Sequence, residues 1–201
     1  MGMMLQESLR APATRIVDPI CRGLIRIGVR ANLVTAIGAF FTILAALLTF
    51  PNGHFLLGTL LIMFFVLFDL LDGTIARLSP QGSSTWGALL DSTLDRLSDA
   101  VILASVLWYF TKIDDPLVGL LIFVLVAGFL ISYIKAKSEA LGIECNGGLA
   151  ERAERLIIII ASTGLTGLGV SFAMAIGLWV LALASLITIG QRLVIVHRGC
   201  K

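Results

Sequence analysis

The chain has 201 residues, of which 58% are hydrophobic, a formal charge of +2 and a mean hydropathy of +0.99. One water-soluble core of this length cannot hide so much apolar surface, so a soluble globular enzyme is excluded and lipid is the implied solvent. The net charge says little by itself, no nucleic-acid partner is expected, and the placement of Lys and Arg along the chain carries the information.

Residues 1–30 lack an apolar core followed by a small-residue cleavage site, and Arg10, Arg15, Arg22, Arg26 and Arg30 interrupt them, so no cleavable signal peptide is expected. Arg15, Asp18, Arg22 and Arg26 recur at helical spacing, with Ile16, Ile20, Leu24, Ile25 and Val29 free to face the other way. This predicts an amphipathic helix at the membrane interface, either an anchor alone or an anchor that also touches substrate. Six apolar stretches follow, near residues 33–50, 55–68, 88–110, 117–134, 156–170 and 173–196, and each is read as a spanning helix that borrows polar flanks where it is short. The expected fold is therefore all-α: a six-helix integral membrane bundle preceded by an interfacial helix. It is read as one domain over 1–201, with 1–30 as a juxtamembrane segment and 31–201 as the core.

Basic residues crowd the N-terminal segment, the second-to-third connection (Arg77, Arg96), the fourth-to-fifth (Lys135, Lys137, Arg152, Arg155) and the C-terminal end (Arg192, Arg198, Lys201), while the alternate connections carry only Lys112. The positive-inside rule then puts both termini in the cytosol, as in a multi-pass protein of the cytoplasmic membrane, with outer turns near 51–54, 111–116 and 164–171. Cys21, Cys145 and Cys200 have no metal-ligand spacing, and no structural disulfide is expected. His54 and His197 fall in a turn and near the end, and neither suits a catalytic triad.

The chemistry concentrates where the second apolar stretch ends and the third begins. In FDLLDGTIARL, Asp69 and Asp72 are three apart; in GALLDSTLDRL, Asp91 and Asp95 are four apart, so each pair shares a helix face. Carboxylates in so apolar a setting are costly and point to function. Clustered, they repel one another unless cations neutralise them, and an all-oxygen ligand set suits Mg2+ or Mn2+ rather than zinc. Gly73, Ala76 and Gly87 leave room for a close approach. Arg77 can neutralise a phosphate oxygen, snorkel to the interface, or pair with an aspartate.

The pattern D-x2-D-G-x2-A-R, nine residues, then G-x3-D-x3-D resembles the signature of the CDP-alcohol phosphotransferase family, with all eight specified positions matched. That resemblance itself predicts six helices. It implies that Asp69, Asp72, Asp91 and Asp95 hold two metal ions gripping the pyrophosphate of a CDP-lipid, with Asp95 also the general base. It further implies that Gly73, Ala76, Arg77 and Gly87 line the CDP site, with a hydroxyl from Ser84 or Thr85, and that the segment Ala31, Asn32, Leu33, Val34 contributes to it. Asn32 read by itself is a helix cap, and both roles stand open. Spacing alone does not separate Asp91 from Asp95 as base.

A second constellation, SYIKAKSEALG followed by GGLAERAERLIIII, supplies Lys135, Arg152 and Arg155, and Arg192 comes late in the sixth stretch. Together they can take a phosphate carried by the acceptor alcohol, with Lys135, Arg155 and Arg192 as the preferred trio, Arg152 secondary and Ser132 as a further hydroxyl. They can equally be topology determinants, with Glu151 and Glu154 favouring the positive end of the fifth helix. SYIKA, ERAER and the late Gln191–Arg192 pair resemble the phosphatidylinositol phosphate synthase branch, a likeness running from about Pro19 to Arg192. It implies CDP-diacylglycerol as donor, 1D-myo-inositol 3-phosphate as acceptor, CMP as leaving product, and a homodimer in the bilayer. Two rivals are a phosphatidylglycerophosphate synthase using glycerol 3-phosphate and a cation transporter using the aspartates as its ion site. The transporter leaves the fixed Gly, Ala and Arg positions unexplained.

Overall fold

The computed structural model describes residues 31–78 and 84–200 together with Cys21, Gly23 and Ile25; the side chains of residues 67–73, 76 and 77 lie outside the description. The expected interfacial helix falls almost wholly outside it, although Cys21, Gly23 and Ile25 have helical backbone. Among the described residues there are six α-helices and no strand: α1 (Ala31–Thr49), α2 (Phe55–Leu78), α3 (Thr85–Lys112), α4 (Leu117–Ala140), α5 (Arg152–Gly167) and α6 (Ala173–Gly199). The spans Ala31–Asn52, Leu117–Ala140 and Ala173–Gly199 are long and apolar enough to cross a membrane, and Phe55–Val66 is a shorter apolar run. The chain is thus a helical membrane protein. At 16 residues, α5 measures about 24 Å, short of a hydrocarbon core about 30 Å thick.

The helix ends follow local chemistry. Pro51 cannot extend α1, and a single 3-10 turn (Phe50–Asn52) leads to Gly53 at φ 77°. Both α4 and α5 end in a Schellman motif, with Gly142 (φ 75°) and Gly169 (φ 93°) in the left-handed region. In the first, Ile143 N donates to Ser138 O and Gly142 N to Glu139 O; in the second, Val170 N donates to Leu165 O and Gly169 N to Thr166 O. Ser84 starts α3, its Oγ accepting the Gly87 N–H at 2.9 Å as an N-cap.

The chain forms two compact units, residues 1–44 with 61–98, and residues 45–60 with 99–201. In the first unit Cys21, Val34 and Ile75 pack together with Ile25 and Ala31 beside them, and Phe41 stacks on Phe65 with centroids 5.2 Å apart. In the second, α4 and α5 both pack on α6. The buried side of α6 carries Gly177, Leu178, Leu181, Ala182, Ser185 and Thr188, while Ile176, Trp179, Val180, Leu183 and Ile187 are exposed. An exposed apolar stripe of that length belongs in lipid, where contact with acyl chains costs nothing.

Small residues set the closest approaches in this unit. A Cβ on Gly177 would overlap Ser162, and one on Gly167 would overlap the backbone of Leu56. Nearby, the hydroxyls of Thr59 and Thr163 lie 2.8 Å apart and hydrogen bond. Backbone cannot step aside as a flexible side chain can, so Gly167→Ala is expected to destabilise the protein by about 1–3 kcal/mol, read as a lower melting temperature in detergent.

Candidate active site

Because α2 continues to Leu78, positions 69, 72, 73, 76 and 77 all lie on helix, on one face. That face follows the apolar run rather than lying within it. The side chains of Asp69, Asp72, Ala76 and Arg77 and the surroundings of Gly73 lie outside the described residues. On α3, Gly87, Asp91, Asp95 and Asp99 follow at intervals of four, so they succeed one another along one side of that helix. Asp91 is exposed. The Asp95 side chain is only 13% exposed, with Oδ2 3.7 Å from Nη1 of Arg96, which also donates to Ser92 O at 3.0 Å.

Among the residues resembling the nucleotide segment, Asn32 is not a cap: it follows the helical Ala31 within α1, and its Oδ1 would lie 2.8 Å from a Cβ placed on Gly87. Gly87 therefore lets α1 and α3 come together within the first unit, a reason for glycine there besides ligand access. Val34 is buried, Leu33 is exposed, and Thr85 is exposed at the first turn of α3. The Ser84 hydroxyl is engaged in capping.

The donors on α2 and α3 suit a hard divalent cation, since all four are carboxylates and Asp91 and Asp95 lie one turn apart on a partly open face. Among the described residues, which do not include the side chains of Asp69 and Asp72, no three metal-ligating side chains converge.

The basic constellation is resolved in full. Arg152 opens α5 and Arg155 lies three residues on, and one carboxylate serves both: Asp99 Oδ1 is 3.7 Å from Arg152 Nε, and Oδ2 is 3.7 Å from Arg155 Nη2. Arg155 Nη1 also donates to Ala150 O at 3.0 Å. Arg192 is buried, donating from Nη1 to Ile131 O at 2.7 Å and from Nε to Gly147 O at 3.2 Å, with Nη2 3.8 Å from Glu151 Oε1. Glu151 in turn accepts the Gly147 N–H, and Thr188 Oγ1 accepts the Ala150 N–H while donating to Ala184 O. The connection entering α5 is thereby fastened to α6, with Gly148 lying too close to Thr188 to carry a side chain.

Arg152 and Arg155 are thus brought together and Arg192 is joined to them through the loop, whereas Lys135 pairs with Glu139 on its own helix at 4.0 Å. Ser132 donates to Gly128 O. Asp99 is the participant that sequence reasoning missed. An acid continuing the four-residue spacing of Asp91 and Asp95 into an apolar run was the available signal.

Comparison with known proteins adds a second line. A sequence profile described as CDP-alcohol phosphatidyltransferase matches residues 29–190. The phosphatidylinositol phosphate synthase of Mycobacterium bovis is 44% identical over 194 residues, 92% of this chain and 87% of that protein. That of Corynebacterium glutamicum is 41% identical over 193 residues, 94% of this chain and 88% of its own length. The crystal structure of Mycobacterium tuberculosis phosphatidylinositol phosphate synthase with CDP-DAG bound superimposes with a TM-score of 0.85 at 43% identity, covering 90% of this chain and 94% of that one. The same enzyme in complex with manganese and citrate gives 0.85 at 42% identity, covering 90% and 88%. With a profile match over most of its length and relatives this similar, the chain belongs to the CDP-alcohol phosphatidyltransferase family.

Proposed function

We infer that this enzyme is a phosphatidylinositol phosphate synthase, transferring the phosphatidyl group of CDP-diacylglycerol to a hydroxyl of inositol phosphate and releasing CMP. The observation that carries this reading is the likeness, over 90% of the chain, to a phosphatidylinositol phosphate synthase crystallised with CDP-DAG. A single catalytic domain over 1–201 is supported by the family profile, which over residues 29–190 draws on both compact units. The charge bias among connections supports six spans, both termini and the active site on the cytosolic side of the cytoplasmic membrane, and an interfacial N-terminal helix. The active form is a homodimer.

Asp69, Asp72, Asp91 and Asp95 hold two divalent ions, Mg2+ by preference and Mn2+ as an alternative. When bound, such ions supply positive charge against the donor's pyrophosphate and the departing phosphate. The chain's own residues do the rest. Gly73 and Ala76 give the CDP moiety room on α2, Arg77 compensates charge on a phosphate oxygen, and Gly87 with residues 31–34 and the 84–85 turn borders the nucleotide. The Asp95 carboxylate accepts the proton of the acceptor hydroxyl as its oxygen bonds to phosphorus and the bond to the CMP oxygen breaks. Lys135, Arg152 and Arg155 take the acceptor's phosphate, and Arg192, bonded to Gly147 O and Glu151, steadies the loop that leads into α5.

The test is CMP release by purified protein from CDP-diacylglycerol and Mg2+ with inositol phosphate, free inositol, glycerol phosphate or serine. Selective turnover with inositol phosphate is expected. Preference for glycerol phosphate would keep the family and overturn the acceptor, and no turnover by folded protein would sink the catalytic reading. Arg155→Ala removes a charged donor to the acceptor phosphate and should raise KM for inositol phosphate about 10- to 100-fold, with KM for CDP-diacylglycerol little changed.

A further inference from the structure

Two arginines in the first turn of α5 run against the electrostatics of that position. The N-terminal end of a helix is positively polarised and favours acids, as Glu154 in the same turn illustrates. Arg152 and Arg155 also lie on neighbouring positions of one face, where like charges repel. Neither arrangement serves helix stability, so what holds these side chains comes from elsewhere. Asp99 provides it: its two oxygens are divided between the two arginines, each at 3.7 Å, and its side chain is 21% exposed against 30% and 13% for Arg152 and Arg155.

We propose that Asp99 is a positioning residue for the transfer reaction, holding Arg152 and Arg155 side by side so that both guanidinium groups meet the phosphate of the acceptor alcohol. The proposal rests on the acceptor assignment made above. Asp99 touches neither substrate; it acts through the arginines. Its charge offsets part of theirs, which by itself would weaken attraction for an anion. The gain lies in order, because two long, mutually repelling side chains are fixed before the phosphate arrives and less freedom is lost on binding. Arg155 is further fixed by its bond to Ala150 O, within the loop held by Thr188 and Arg192.

The test uses full-length enzyme in lipid nanodiscs, comparing wild type with Asp99→Ala, Asp99→Asn and Asp99→Glu for kcat, KM of both substrates and thermal stability. Asp99→Ala is expected to raise KM for inositol phosphate about tenfold or more, with KM for CDP-diacylglycerol within about twofold. Asp99→Asn, which keeps the shape and one acceptor oxygen, should lie between, and Asp99→Glu should recover part of the loss. A lower acceptor KM in Asp99→Asn would mean that Asp99 merely competes with the phosphate, and would overturn the proposal. So would equal losses for both substrates, the mark of a purely structural residue, or an unchanged acceptor KM in all three variants. Should Asp99→Ala fail to fold, the Asn and Glu variants decide by the same criteria. Wild type assayed with glycerol phosphate and free inositol separates the two levels: preference for glycerol phosphate removes the inositol assignment while Asp99 is still judged on that acceptor. Preference for an unphosphorylated alcohol overturns both.

Discussion

Asp95→Asn is expected to lower kcat by about 100- to 10,000-fold, the range in which a positioned general base contributes, while CDP-diacylglycerol still binds. The substitution keeps the volume of the side chain and one acceptor oxygen, so α3 has no reason to unfold around it. What disappears is the negative charge that receives the hydroxyl proton. Asp95 is also a proposed metal ligand, so loss of turnover alone does not separate its two roles. Asp91→Asn, one turn earlier on the same side of α3, supplies the comparison. An aspartate that only holds metal should be answered by more metal, so Asp91→Asn is expected to shift the Mg2+ requirement upward and recover rate at high concentration. Asp95→Asn should remain inactive at saturating Mg2+. If both variants recover alike, Asp95 is a metal ligand and the base lies elsewhere. Its side chain is the more enclosed of the two, set beside Arg96, which suits a proton acceptor screened from bulk water.

The helices were legible because each contains an apolar run too long for a loop, and the observed α4 and α6 begin at the first residue of the expected stretches. The errors lie at the polar ends. α2 runs ten residues past Phe68, α4 six past Ile134, and α5 begins four before Leu156. Hydropathy marks where lipid ends, whereas a helix ends where its hydrogen bonding is capped, and DLLDGTIARL and KAKSEA contain nothing that stops a helix before Leu78 or Ala140. The aspartate signature was legible for the opposite reason: its residues are local, on two consecutive helices. The role of Asp99 and the contacts of Arg192 were hidden because their partners are distant in sequence. Arg192 meets Ile131, Gly147 and Glu151, and no spacing rule links those positions.

That convergence gives Arg192 a second task, and replacing it should have an effect nearly as large as loss of the base. Arg192→Met keeps an unbranched stem in a nearly closed site, 3% exposed, but removes every donor. The Glu151 contact is the weaker part, since that side chain is 45% exposed and screened by water. The carbonyl bonds weigh more: the bond to Ile131 O is buried and only 2.7 Å long, and that to Gly147 O is partly shielded from water. A loss of about 3 kcal/mol is expected on that basis, read as a lower melting temperature. Hydrogen exchange should localise the damage, with faster exchange at Gly147 and Ala150, whose N–H groups are held by Glu151 and Thr188. Because the same loop leads into Arg152 and supplies the carbonyl that Arg155 grips, loosening it should also raise KM for inositol phosphate. Arg192→Lys distinguishes a fastener from a simple source of charge. Lysine keeps the positive charge but cannot fork to two carbonyls at once, so it should restore little stability if the loop is what Arg192 holds. Full restoration by lysine would reduce Arg192 to a charge facing the acceptor phosphate.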